Sequence, residues 1–436
     1  MTSRDVVVVR GGRVVCPASD VDREADLVLT GERVSALERP GATVPTGARV
    51  VDASGCLVLP GAIDLATHLR EPGREEEETL EGTLEAAARG GFTTLLALPD
   101  TSPPVDGADD VKERLARAER IGGPSLLVAG CLTKGRAGKE LAEIGEMAAA
   151  GAVAFTDAPS PVADAELLRR AMEYARGFHR PVFAVGACPS LSGPGVVAEG
   201  AIATRLGLAG IPEAAEVSFV ARHIELARLT GARVHLGPLS SARSVDLLER
   251  ARGEGLPVTA EVHPWHLVLD ENALLERPYD TALRLEPPLR TPADREALVG
   301  AVRRGALLVA SGHAPVGPVQ REVEFAAAEP GAVSLPTCLP LLLDGEEGRG
   351  VLTPWELARA VSWGPAELLG LEDRGRLSEG ARGDVVVLDP RERPIADRQL
   401  LGTQVLSSPI LGATLHARVR ATLVEARVAH EARAEQ

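Results

Sequence analysis

The stretch LVLPGAIDLATHLREPG, residues 57–73, is an apolar strand that runs into a polar mouth, and it opens the part of the chain that decides the fold. From residue 57 to about 368, apolar strands alternate with amphipathic helical segments. Strands are predicted at 57–65, 93–98, 125–130, 153–156, 181–185, 233–236, 257–262 and 306–310. Helices are predicted between them at 79–89, 109–121, 139–149, 164–178, 213–229, 242–253 and 292–303. Eight strand-then-helix repeats specify a closed parallel barrel of the TIM type, with side chains from the strand ends converging on one cavity. Side chains alternate along a strand, so a strand ending in His-x-His turns two imidazoles to one side, where both can hold one metal ion. Here Ala66 takes the first of those places and His68 stands alone.

The flanks have a different pattern. Short β-rich runs at 6–9, 13–15, 26–29 and 33–37 precede the barrel, and 375–389 and 414–428 return to short strands after it. The predicted organisation is α/β, with a (β/α)8 barrel over 57–368 and a small composite β-sandwich built from 1–56 and 369–436. The acidic run 75–78 reads as a solvated loop or helix start, and 315–330 as either a lid or a disordered excursion. The glycine-rich segment 186–200 has no phosphate-loop spacing.

Composition excludes several function classes. A net charge of -15 without a basic patch argues against nucleic acid or an anionic membrane surface. No run approaches the roughly 20 apolar residues of a membrane span, and the opening MTSRDVVVV lacks the form of a signal peptide, so a cytoplasmic protein is expected. Cys16, Cys56, Cys131, Cys188 and Cys338 are odd in number and scattered, so they read as small apolar residues rather than as a disulfide framework. Lys112, Lys134 and Lys139 are the whole lysine complement, and none lies on a predicted strand, which excludes a carbamylated lysine bridging two metals.

In sequence order, the strand-end motifs are 60–73, GGFTT at 90–94 followed by Pro99-Asp100-Thr101, GAVAFTD at 151–157, 181–191, 234–241, VTAEVHPWHL at 258–267, EPPLR at 286–290, ASGHAP at 310–315 and 375–389. Together they resemble those of long-chain dihydroorotase, in the cyclic amidohydrolase superfamily, nearly end to end. The resemblance implies reversible cyclisation of N-carbamoyl-L-aspartate. In that chemistry zinc polarises the carbonyl and lowers the pKa of bound water from about 16 to about 7, and a last-strand aspartate relays the proton.

Measured against that family, the site is depleted. The first-strand histidine pair is Ala66 and His68, the fifth-strand ligand is Val185, the sixth-strand ligand is Pro238, and the eighth-strand relay and substrate-contacting histidine are Gly312 and Val316. Of six family positions that bind or activate through metal, His68 and Asp157 remain. Three protein ligands is the ordinary minimum for catalytic zinc, so no zinc and no metal site are expected. The replacements are apolar or lack a side chain, the direction expected when a metal pocket is filled in, because unpaired buried charge is costly. Arg70 matches the family arginine that grips the substrate carboxylate. Asp100 and Glu286 replace asparagines and would repel a dianion, so Arg70 is expected to pair with one of them.

These readings predict a protein that is not an enzyme: a pseudo-dihydroorotase without metal, acting as structural partner of the aspartate transcarbamoylase catalytic chain in pyrimidine biosynthesis, as an oligomer in a mixed complex. Two alternatives stay open. One is an active cyclic amidohydrolase with a rebuilt single-metal site from His68, Asp157 and the His263/His266 pair. The other is a metal-free ligand-binding module using Arg70.

Overall fold

The computed structural model describes residues 6–344 and 350–432, and the statements below concern those residues. The first five residues, which begin the stretch read for a leader, and the last four lie outside them. Strands Ala62–Thr67, Phe92–Ala97, Ser125–Gly130, Ala154–Phe155, Val182–Val185, Val234–Gly237, Val258–Val262 and Leu308–Val309 lie side by side in chain order. All are parallel, as the alternation with helices requires. The first strand meets the last through a parallel bridge between Thr67 and His313 and a 2.9 Å bond from the His68 N–H to the His313 carbonyl.

A buried carboxylate holds this seam. Asp64 accepts from the Ser311 N–H at 2.6 Å, the Ser311 hydroxyl at 2.7 Å and the Thr67 hydroxyl at 2.5 Å. On the outside, helices start where the sequence caps them. Thr79 caps Leu80–Arg89 by accepting from the Gly82 N–H, and a reciprocal Thr291–Asp294 box caps Pro292–Arg304.

The apolar run predicted as one strand over 57–65 is two. Leu57–Pro60 pairs with Val6–Cys16 and Val385–Asp389 in the second sheet, while Ala62–Thr67 enters the barrel. Gly61 makes the break: a Cβ there would lie 2.3 Å from the Thr93 hydroxyl. Both sheets bury this run, so hydrophobicity alone does not divide it. The helix predicted over 139–149 shrinks to Ile144–Ala150, because residues before it bond back to the loop after the third strand, Ala142 N–H to the Leu132 carbonyl at 3.0 Å.

The second sheet has eight strands drawn from both ends of the chain: Val6–Cys16, Val21–Thr30, Arg33–Glu38, Arg49–Asp52, Leu57–Pro60, Val385–Asp389, Arg418–Val424 and Arg427–Glu431. It buries its own core of Val9, Val14, Leu27, Leu29, Val385 and Leu423.

One local reading is corrected and one open alternative is resolved. Glu77 and Glu78 are buried, not solvated. The stretch 315–330 is an ordered cover carrying the short helix Pro318–Arg321. It is tied down by the Gly317 N–H to Glu77 at 2.7 Å and by an Arg74–Glu329 ion pair at 2.5 Å. Among the described residues no helix is long and apolar enough to cross a membrane.

Asp64→Ala strips three buried donors of their acceptor and should destabilise the fold by on the order of 3 kcal/mol. Urea unfolding measures this, and a loss below a few tenths of a kcal/mol would show that the seam does not depend on the carboxylate.

Candidate active site at the barrel mouth

A cavity of about 390 Å³ opens at the C-terminal ends of the barrel strands. Ala66, Val185, Pro238 and Gly312 all line it, so four of the five replaced positions do converge on one place. Val316 is buried outside the lining. His68, Arg70, Asp100 and Glu286 line it too, with Glu286 exposed.

Asp157 does not. Its carboxylate turns to the loop after the third strand, accepting from the Leu132 N–H at 2.8 Å, the Thr133 N–H at 3.0 Å and the Thr133 hydroxyl. Burial pushes this carboxyl up, and those donors partly offset the rise. Asp157 therefore structures a loop and stands apart from His68.

His68 is engaged with Asp100, Nδ1 to Oδ2 at 2.7 Å. Burial would raise the Asp100 carboxyl, but the charge and hydrogen bond of His68, followed by Arg70, outweigh it and hold the group below its ordinary value. Arg70 pairs with neither predicted acid. Its Nε donates to the Pro315 carbonyl at 2.7 Å and lies 3.3 Å from Glu77 Oε2. The partner was hidden because the acidic run around Glu77 looks like a surface run until the cover folds over it.

The sixth- and seventh-strand ends carry groups that sequence reasoning passed over. Glu261 is fully buried beside the cavity, with Oε2 3.1 Å from His235 Nε2 and Oε1 without a partner. Burial raises its carboxyl, and His235 opposes the rise. The signal was the alternation Thr259, Glu261, His263, which puts all three on one side of a strand. Below the loop after the sixth strand, Glu216 accepts from the Ser240 and Ser241 N–H groups, and Arg290 Nε donates to the Ser240 hydroxyl at 2.7 Å. His313 is locked, Nε2 to Glu78 at 2.8 Å, with Nδ1 facing the Ser334 N–H.

These residues do not fit the family zinc. Ala66, Val185, Pro238 and Gly312 bring no donor, Asp157 is committed elsewhere, and among the described residues no group of three or more His, Cys, Asp or Glu is disposed to hold a metal ion. The rebuilt site imagined from His68, Asp157, His263 and His266 is not assembled.

A TIM-type barrel with a composite sheet from both termini and a cavity at the strand ends defines the amidohydrolase class of fold. L-hydantoinase from Arthrobacter aurescens superposes with a TM-score of 0.84 over 97% of this chain and 95% of that one at 23% identity. Dihydropyrimidinase from Brevibacillus agri does so at 0.80, over 97% and 94%, at 23% identity. The dihydro-orotase-like family profile matches residues 55–244. Dihydroorotase of Pelobacter propionicus is 38% identical over 97% of this chain and 99% of its own length, and that of Anaeromyxobacter dehalogenans strain 2CP-1 is 41% identical over 98% of each. The chain belongs to the dihydroorotase family.

These relatives overturn the expectation that the chain is not an enzyme, because they carry an enzyme's name at about four-tenths identity from end to end. That expectation equated loss of metal ligands with loss of chemistry. The cavity keeps its place and Arg70, and beside the His263 already weighed as a ligand it is lined by Glu261 of the seventh strand, which the metal-ligand inventory left out.

Burial holds three histidines neutral: His223 down to about 3, His266 to about 4, and His263 well below its ordinary value. The unfolded chain takes up these protons from about pH 6.5 downward while the native fold resists them, so stability is full above that pH and falls as it drops. Urea midpoints between pH 7 and 5 should decline less in His223→Leu than in the parent protein; parallel curves would contradict this assignment.

Proposed function

We propose that this protein is a cyclic amide hydrolase of the dihydroorotase type, working in pyrimidine metabolism without zinc and in association with the aspartate transcarbamoylase catalytic chain. The observation that carries the hydrolase reading is end-to-end similarity to dihydroorotases combined with a retained strand-end cavity that holds Arg70. The zinc-free part rests on the donor set described above. The partner part rests on the family resemblance, since the transcarbamoylase product is the open form of the dihydroorotase ring. A cytoplasmic location and an oligomer inside a mixed complex belong to the same reading.

The chain's own groups suit a small acidic amide. Arg70, Arg136 and Arg290 line the cavity and could meet a substrate carboxylate, alongside the acids Asp100, Glu216, Glu261 and Glu286 that confine where it can sit. Asp100 fixes one nitrogen of His68, which orients that ring at the mouth. From the segment 315–330, Glu329 and Pro330 reach the cavity wall.

Purified protein should open dihydroorotate at a rate unchanged by chelator and should contain well under one zinc per chain by elemental analysis. Absence of turnover, with and without added zinc, would overturn the hydrolase reading, and turnover proportional to zinc content would overturn the zinc-free one. Mixed with aspartate transcarbamoylase, the chain should co-elute on size exclusion; separate elution at micromolar concentrations of both would dismiss the partner.

A further inference from the structure

We propose, resting on the hydrolase reading above, that His263 is the catalytic proton carrier of this barrel and occupies the space vacated by the eighth-strand carboxylate. The steric evidence is direct. A Cβ added at Gly312 would lie 2.4 Å from His263 Cε1 and Nδ1 and 2.6 Å from Nε2, so an aspartate at 312 and the imidazole at 263 exclude each other. One proton-carrying side chain stands where another would be.

The chemical evidence is independent. His263 lines the cavity and is 9% exposed, and its Nε2 is buried without a hydrogen-bond partner. Of the other strand-end histidines, His235 is bonded through both nitrogens to Thr259 and Glu261, His313 is held by Glu78 and the Ser334 N–H, His68 is held through Nδ1 by Asp100, and His266 bonds the Pro287 carbonyl through Nε2 with Nδ1 unpartnered.

The step balances with water as the sole co-reactant. As the water oxygen bonds to the ring amide carbon, its proton passes to the His263 imidazole. When the C–N bond breaks, that proton moves to the leaving nitrogen, giving the open acid and a neutral imidazole again.

The test follows turnover and His263 itself. With dihydroorotate as substrate, His263→Gln should lower kcat by about 10²-fold or more at nearly unchanged KM, the typical range for a lost general base. In protein carrying 15N-labelled imidazoles, the His263 ring resonances should move as dihydroorotate is added. A variant with parental kcat, or resonances that stay fixed while dihydroorotate saturates the cavity, would overturn the assignment. Failure of the parent protein to open dihydroorotate would overturn the hydrolase reading and this assignment together, whereas an active parent with an equally active variant sinks His263 alone. A structural arm needs no activity. Gly312→Asp should destabilise the parent more than it destabilises a His263→Ala background, because the positive φ of +60° at residue 312 is common to both and the clash is not. Equal destabilisation would show that His263 does not fill that space.

Discussion

The seam between the first and last barrel strands is the constraint on which the rest of the molecule depends. A parallel barrel closes only if its two end strands find each other across the whole length of the chain, and here a single buried carboxylate makes that meeting specific. Asp64 gathers a backbone N–H and a hydroxyl from Ser311 and a hydroxyl from Thr67. The bridge from Thr67 to His313 then places His68 and Gly312 on neighbouring strand ends. Without the seam there is no shared mouth, and the family positions scattered from residue 66 to residue 312 would line nothing.

A second layer of buried charge shapes the mouth. Glu77 binds Arg70, Arg74 and the Gly317 N–H, and Glu78 binds His313 and the Thr83 hydroxyl. Two adjacent carboxylates thus tie the loop after the first strand, the helix start and the cover to one another. Arg70 is held at the cavity wall by this lattice, between the Pro315 carbonyl and Glu77. At Ala66, Val185, Pro238 and Gly312 the rim is apolar or without a side chain, while His68 of the first strand and Glu261 and His263 of the seventh supply polar groups.

Much of the fold was legible because it is written in short-range pattern. All eight barrel strands fall within a residue or two of the predicted ranges, except that the first prediction runs together two strands lying in different sheets. The convergence of positions 66, 185, 238 and 312 was legible as well, since strand ends of a parallel barrel share one rim. Glu77 and Glu78 were misread because a run of four glutamates has the composition of a surface; Glu75 and Glu76 are exposed, while Glu77 is met by Gly317 and Glu78 by Thr83 and His313. Asp157 matches a family ligand position but reads most simply as a satisfied strand-end carboxylate, and so it is, because the N–H groups of Leu132 and Thr133 draw it away from the cavity.

The sequence by itself determined the barrel, the composite sheet, the family and the inventory of donors at the rim, because periodicity and residue type are local properties. Only the tertiary structure decided which donors meet. Ion pairing, burial and steric exclusion are contacts between residues far apart in the chain, as between Arg70 and Glu77 through the cover, His235 and Glu261 across two strands, or His263 and Gly312 across the mouth. A side chain's chemistry in a cavity depends on its neighbours' distance and on the water they displace, and neither quantity is carried by the order of the residues.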